Sequence, residues 1–160
     1  MNGSTPPGAS FAFDIGEQAL SEQLRRADAL DTKAGVLVAA NGLVLFGLLL
    51  SSNSFVVGSP IGVQFSIVVL TIASLLSALA AFSTRRYDLA PRPESVIRLM
   101  ARDEAWLRWR FLGNVESAVA QNRRKLVRKS MLLTLSLASL FLTVTTMGLY
   151  FVVRTLTGEL

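Results

Sequence analysis

Three long runs without a charged side chain dominate the pattern of hydrophobic and polar positions along this chain. They extend from Ala34 to Leu50, from Ile61 to Phe82 and from Met131 to Val153. A helix of about 18 apolar residues, rising about 1.5 Å per residue, covers most of a hydrocarbon core of about 30 Å. The pattern therefore predicts three transmembrane helices, which cover residues 34–52, 61–82 and 131–153. The first run is the shortest, and a buried core helix is the alternative for it.

The segment before the first run changes character at Asp14. The first ten residues are rich in Gly, Pro and Ser and have no apolar periodicity, so residues 1–13 are predicted to form a disordered tail. After Asp14, apolar residues recur at helical spacing, and Glu17 completes a capping-box-like start three residues later. We therefore expect an amphipathic helix over residues 14–33 that continues into the first apolar run without a helix breaker.

Residues 83–130 form the longest polar segment between two apolar runs. Their apolar residues recur at three- and four-residue steps, which predicts a largely helical segment with a break near Gly113 and Asn114. With Asn114 as its cap, a helix would run without interruption into the third apolar run. Residues 51–60 are expected to form a short hairpin between the first two spans, and residues 154–160 a short outer tail.

Basic residues are distributed unevenly between these segments. Residues 83–130 contain twelve basic and five acidic side chains, whereas the arm before the first run contains three basic and five acidic ones. The hairpin has no charge, and Arg154 is the one basic residue of the C-terminal tail. By the positive-inside rule, the arm and residues 83–130 are cytosolic, and their opposite net charges predict that they pack on each other. The expected fold class is all-α: an integral membrane protein with three transmembrane helices and a small cytosolic helical layer.

Composition narrows the function classes. The chain has 160 residues, 51% of them hydrophobic, with a mean hydropathy of +0.48, and it contains neither Cys nor His. The commonest acid–base group and the thiolate metal ligand are therefore missing, so we expect neither an enzyme nor a bound cofactor or metal. Asp, Glu, Lys and Arg are absent from the three apolar runs, which argues against an ion-coupled transporter.

Arginine and tryptophan cluster in the cytosolic segment, where they are candidates for contacts with a nucleotide or a phosphate group. Guanidinium groups match the geometry of phosphate, and aromatic rings stack on nucleobases. The candidate residues are Trp106, Arg108, Trp109, Arg110, Arg123 and Arg124. The residues leave two alternatives open. The tryptophans anchor the chain at the membrane interface, and the basic run of residues 123–129 signals topology and attracts anionic lipid. We expect no nucleic-acid partner so close to a membrane.

Polar and small residues inside the apolar runs indicate helix packing. Asn41, near the middle of the first run, is expected to form an interhelical hydrogen bond, and a role in a gate is the alternative. Small residues that allow helices to approach closely, within or between subunits, are Gly35, Ala39 and Gly42 in the first run and Ser74, Ala78 and Ala81 in the second. The hydroxyl groups of the third run either line a pore or bond to their own helix backbone.

The stretch DALDTKAGVLVAANGLVLFGLL resembles the Pycsar transmembrane effector family, in which an Asp-x-Lys-Ala motif leads the first span and an Asn lies within it. The matching residues are Asp31, Lys33, Ala34 and Asn41. The order of the later segments is also similar, so that the resemblance covers about residues 15–153. It implies four site residues at the junction between a polar helix and the first span.

The resemblance also implies a function. Members of this family are bacterial antiphage effectors of the inner membrane, which respond to cyclic CMP or cyclic UMP from a neighbouring cyclase. They impair the membrane and so cause abortive infection. We expect a homo-oligomer in the lipid bilayer with a cyclic pyrimidine nucleotide as its ligand. The alternatives are a holin-like protein that needs no ligand and a structural membrane subunit that anchors a partner.

Overall fold

The computed structural model describes residues 8–50, 59–83, 87 and 103–157, and it contains three α-helices and no strand within them. Helix α1 extends over Ala9–Leu50, α2 over Ile61–Ser83 and α3 over Glu104–Leu156. Each of the three is long and apolar enough to cross a membrane. The all-helical class and the three apolar helices predicted from the sequence are confirmed.

The second predicted span matches α2 closely, because local sequence determines where this helix begins. Pro60 directly precedes the helix, and its carbonyl accepts hydrogen bonds from the backbone N–H groups of Val63 and Gln64. The Gln64 side chain also donates to the Ser59 carbonyl at 2.8 Å, which holds the residue before Pro60 against the first turn of the helix. The expected hairpin at residues 51–58 lies outside the described residues.

Helix α1 starts earlier than expected. The prediction of a disordered tail to residue 13 and a helix start at Asp14 is wrong for residues 9–13, which are helical. Gly8 adopts a φ of 86°, and its carbonyl accepts the hydrogen bond of the Ala12 N–H at 2.9 Å. Asp14 is not a cap, since its carboxylate binds Arg108 instead. Residues 1–7 lie outside the described part of the chain.

Helix α3 is continuous where a break was expected. It runs through Gly113 and Asn114, so the predicted break and cap at these residues are wrong. Both residues are exposed, whereas Phe111, Val115 and Ala118 are buried on another face and hold the helix by packing. The expected uninterrupted entry into the third apolar run is confirmed. The helical pattern predicted for residues 88–102 lies outside the described residues.

Contacts divide the chain into two units. The first, here called the charged unit, comprises residues 1–29 and 85–128, and the second, the apolar unit, comprises residues 30–84 and 129–160. Helices α1 and α3 contribute to both, while α2 belongs to the apolar unit.

In the charged unit, the first part of α1 packs along α3 in the parallel direction. Asp14 pairs with Arg108, and further along Gln23 donates to the carbonyl of Val119 at 3.1 Å, so that the residue numbers rise together. Leu20, Ala27 and Val115 are buried between the polar surfaces. The predicted packing of the acidic arm on the basic segment is therefore confirmed.

Two glycines of the charged unit make a matched pair for testing this contact. A Cβ on Gly16 would lie 2.8 Å from Cγ1 of Val115, which is buried, whereas a Cβ on Gly113 would meet nothing within 4 Å. Gly113→Ala is expected to raise the free energy of unfolding by up to about 1 kcal/mol, through helix propensity alone. Gly16→Ala is expected to lower it, because Val115 must move. Thermal unfolding followed by circular dichroism measures both, and an equal gain for the two variants would contradict the contact.

The apolar unit has small and polar side chains inside and large apolar ones outside. Helix α2 runs antiparallel to α3: Ser74 donates to the Ser136 carbonyl at 2.8 Å, and Ala81 contacts the cluster that contains Leu133. The fully buried polar residues in the described part of this unit are Asn41, Thr71, Ser74, Lys129, Ser136 and Thr143. Its exposed residues include Leu43, Phe46, Phe65, Leu76, Phe141 and Phe151. Water-soluble helix bundles have the opposite arrangement.

Candidate functional site

Three of the four motif residues share one face of α1. Asp31, Ala34 and Asn41 are three and seven residues apart, spacings that keep side chains on one side of an α-helix. Ala34 and Asn41 are fully buried in the apolar unit, and Asp31 is half-buried. Lys33 lies off this face and is exposed. The motif therefore contains two kinds of residue, three that face the helix bundle and one that faces its surroundings.

Asp31 holds a buried lysine. The Lys129 Nζ lies 2.6 Å from the Asp31 Oδ1, with the Lys129 side chain 0% exposed and that of Asp31 25% exposed. Burying an ammonium group is costly unless an opposite charge and hydrogen bonds compensate it. The ion pair therefore joins α1 to α3 at the beginning of the apolar unit.

Sequence reasoning missed the role of Lys129, which it placed in a basic run without a partner. A signal was present in the spacing of polar residues on α3. Asn122, Lys129, Ser136 and Thr143 follow each other at intervals of seven residues, and all four are fully buried. Side chains at such intervals form one seam of a coiled-coil-like helix contact.

Asn41 does not form the interhelical hydrogen bond expected of it. Its Nδ2 donates to the Leu37 carbonyl on the same helix at 2.8 Å, and its buried Oδ1 accepts no hydrogen bond from the described residues. Elsewhere in this unit, the Ser74 hydroxyl forms an interhelical hydrogen bond with the Ser136 carbonyl. Within the described residues, Asn41 thus contributes a buried polar atom to the bundle without linking two helices.

The small residues of the two apolar runs face different surroundings. Ser74, Ala78 and Ala81 on α2 are buried, so they serve packing within the subunit. Gly35, Ala39 and Gly42 on α1 are exposed, and a Cβ added to Gly35 or Gly42 would meet nothing within 4 Å.

Several hydroxyl groups of α3 bond to their own helix. Thr134, Thr143 and Thr146 each donate to the carbonyl four residues earlier. This is the usual way in which a hydroxyl satisfies itself on a helix in an apolar environment. These hydrogen bonds favour the backbone alternative over a pore lining for those three residues.

Arg108 is occupied by carboxylates of the charged unit. Its Nη1 lies 2.6 Å from the Asp14 Oδ1, its Nη2 lies 2.8 Å from the Glu104 Oε1, and its guanidinium carbon is 6.0 Å from the centroid of the Phe13 ring. The positive charge and several N–H donors of this guanidinium are already paired with two carboxylates, which makes it a poor binding group for phosphate. Arg108 therefore joins α1 to α3 in this unit.

The other candidate contacts divide into two groups along α3. Trp106 is half-buried, whereas Trp109 and Arg110 are exposed, as are Arg123 and Arg124. Arg123 lies thirteen residues after Arg110 on a continuous helix, or roughly 20 Å at 1.5 Å per residue. One mononucleotide does not reach both groups on the same chain, so the two groups are separate candidates for a ligand.

Two of the three basic residues of the arm are engaged within α1. Arg25 and Arg26 lie 2.9 and 3.0 Å from the Glu22 carboxylate, one helical turn away. The hydrogen bond from Arg26 is the main cause that lowers the pKa of Glu22 below its ordinary value. Arg25 and Arg26 are therefore not candidates for nucleotide contacts, and those candidates all lie on α3.

Comparisons of the chain with protein-family models, with curated proteins and with solved structures give no match. Among the described residues, no group of three or more acidic side chains could hold a metal ion. The fold and the site define an all-helical protein with three helices long and apolar enough to cross a membrane, two of which also build a charged unit.

Proposed function

We propose that the protein is a three-span integral membrane protein, with its apolar unit in the bilayer. The distribution of side chains in that unit carries this proposal. Among the described residues, all but four of the exposed large hydrophobic side chains belong to the apolar unit. In lipid these side chains face acyl chains, while small and hydroxyl residues mediate helix contacts. In water the same surface would be one large apolar patch prone to association.

The charged unit lies on the cytosolic side of a bacterial inner membrane in this proposal. Helices α1 and α3 run parallel in the apolar unit, and basic residues are concentrated before the third span, as the positive-inside rule requires of a cytosolic segment. The N-terminus is then cytosolic, and the end of α3 lies outside.

Cysteine labelling tests this topology, because the natural chain contains no Cys. Ser10 and Thr157 are both exposed, near the start of α1 and after the end of α3. In intact spheroplasts, a membrane-impermeant maleimide is expected to label Thr157→Cys and to label Ser10→Cys only after permeabilisation. Labelling of both variants in intact spheroplasts, or of Ser10→Cys alone, would contradict the proposed orientation.

The function that we propose is that of an antiphage effector, a homo-oligomer that binds a cyclic pyrimidine nucleotide and impairs the inner membrane. Two observations support it. One is the resemblance at Asp31, Lys33, Ala34 and Asn41, and the other is that two helices extend through both units. Helices α1 and α3 each contribute to the charged unit and to the apolar unit. A ligand that binds one arrangement of the charged unit more tightly shifts the population towards it. Continuous helices are suited to pass such a change to the spans.

Trp109 and Arg110 are the residues that we assign to the nucleotide. Both are exposed on α3, and they combine a stacking surface with a phosphate-binding group, whereas Arg123 and Arg124 offer charge alone. Arg110→Gln and Arg123→Gln are therefore matched variants, each of which removes one exposed charge from the same helix.

Measurements of membrane potential in cells test the proposed function. Co-expression with an active pyrimidine cyclase is expected to depolarise cells that carry the protein. Arg110→Gln is expected to weaken binding of the cyclic nucleotide to the purified protein about tenfold and to reduce the depolarisation, while Arg123→Gln changes both little. If the cells keep their membrane potential while the cyclic nucleotide is shown to be present, the proposal is contradicted. Depolarisation without a cyclase would favour a holin-like protein, and co-purification of a partner without toxicity would favour a structural subunit.

A further inference from the structure

A cleft with a volume of ≈ 410 Å³ opens between α1 and α3 at the start of the apolar unit. This size is within the range of about 300–1,000 Å³ that is typical of ligand sites. Its lining residues are Leu30, Thr32, Lys33, Val36, Leu37, Ser130, Leu133, Thr134 and Leu137. The ion pair of Asp31 with Lys129 lies at the same level of the two helices but does not line the cleft.

The lining is graded from polar to apolar along the helices. Lys33 and the hydroxyl groups of Thr32 and Ser130 lie at one end, next to Leu30. The side chains beyond them are a valine, three leucines and Thr134, whose hydroxyl donates to the Ser130 carbonyl of its own helix. From Ser130 to Leu137 the cleft follows α3 for seven residues, or roughly 10 Å. An amphiphilic ligand with a polar head and a long apolar tail has the same gradient.

Lys33 supplies the charge that selects the head of this ligand. Its side chain is exposed, and it forms no ion pair with the residues that the structure describes, whereas the charge of Asp31 is matched by Lys129. An ammonium group at the polar end of an apolar cleft favours an anionic group. In the proposed membrane orientation, Lys33 lies at the level where the phosphate groups of lipids are found.

We infer that this cleft binds one anionic phospholipid. Lys33 and the hydroxyl groups of Thr32 and Ser130 hold the phosphate. The part of one acyl chain nearest the head group lies along Val36, Leu37, Leu133 and Leu137. Inorganic phosphate and nucleotides are also anionic, but they have no apolar group that would fill the apolar part of the cleft. A lipid has such a group and is therefore the better fit. The inference rests on the proposed insertion of the apolar unit into a bilayer.

Native mass spectrometry of the full-length protein in detergent, with phosphatidylglycerol or phosphatidylcholine added, tests the inference. Phosphatidylglycerol is expected to bind more tightly than phosphatidylcholine. Lys33→Gln is expected to weaken the binding of phosphatidylglycerol about fivefold and that of phosphatidylcholine less, because the choline ammonium group already offsets the charge of its phosphate. Arg128→Gln is the matched control, because Arg128 is exposed on α3 and does not line the cleft. An equal loss in both variants would indicate nonspecific attraction and overturn the inference.

A second pair of variants tests the apolar part of the cleft. Leu137→Trp fills it and is expected to abolish the binding of both lipids, whereas Leu135→Trp, on an exposed position outside the cleft, leaves binding intact. Thermal unfolding shows whether each variant is folded. If inorganic phosphate or glycerol phosphate displaces phosphatidylglycerol at equal concentration, the site recognises phosphate alone and the lipid assignment is overturned. Failure of lipid binding with correct cysteine labelling refutes the cleft assignment and leaves the proposed topology intact.

Discussion

Replacing Asp31 with Asn is expected to lower the free energy of unfolding by about 3 to 5 kcal/mol, because the buried ammonium group of Lys129 then loses the opposite charge of the Asp31 carboxylate. Reversible unfolding in mixed detergent, followed by circular dichroism, measures this loss. The neighbouring substitution Lys33→Gln provides the control. Since Lys33 is exposed and forms no ion pair with the described residues, that change is expected to stay within about 0.5 kcal/mol.

The double variant Asp31→Leu with Lys129→Met separates the net value of the ion pair from the cost of breaking it. Buried ion pairs replaced by apolar side chains of similar volume are often neutral or stabilising, so we expect a stability within about 1 kcal/mol of the natural protein. Asp31→Asn and Lys33→Gln variants of equal stability would contradict the ion pair. A function that survives in the double variant but not in Asp31→Asn would assign Asp31 a structural role.

Replacing Ala34 with Leu is expected to cost about 1 to 3 kcal/mol, whereas the same replacement of its neighbour Gly35 is expected to stabilise the protein slightly. Ala34 is fully buried and clusters with Ala81 and Leu133, so three additional carbon atoms force the helices apart. A Cβ on Gly35 meets nothing within 4 Å, and removal of a helix glycine gains up to about 1 kcal/mol.

The midpoint of unfolding in detergent measures both variants, and light scattering of the same samples measures their size. Equal destabilisation by the two substitutions would contradict the assignment of Ala34 to the interior. A smaller particle for Gly35→Leu with unchanged helix content would support the expected homo-oligomer, since the bundle itself has room for the added side chain. An unchanged particle would show that this position of α1 takes no part in self-association.

The three apolar helices were predictable because crossing a bilayer imposes a length and an absence of charge that can be read in one dimension. The span predicted over residues 61–82 differs from α2 by one residue at its end. The early start of α1 and the continuity of α3 past Gly113 were not predictable in this way. Both depend on packing within the charged unit, where contacts such as that of Asp14 with Arg108 outweigh weak local signals.

The candidate site was predictable only in part. The motif pointed to Asp31 and Ala34, which do face the interior, but spacing alone did not identify Lys129 among five basic residues of one run. Arg108 looked equivalent to Arg110 in sequence, and its carboxylate partners, one of them more than ninety residues earlier in the chain, distinguish the two. The cleft beside Lys33 could not be predicted, because it requires the positions of residues from two helices.

The seven-residue repeat of buried side chains on α3 bears on how this helix is aligned lengthwise with its neighbours. In the apolar unit, Ser136 and Thr143 occupy equivalent positions of this repeat, and both are hydroxyl residues of similar size. Displacement of α3 by one repeat, about 10 Å, would therefore offer its neighbours a face of much the same shape. Lys129 is the member of the series with a charge, and Asp31 accepts it in one register alone. The ion pair thus favours the observed alignment of α3 over one displaced by a single repeat.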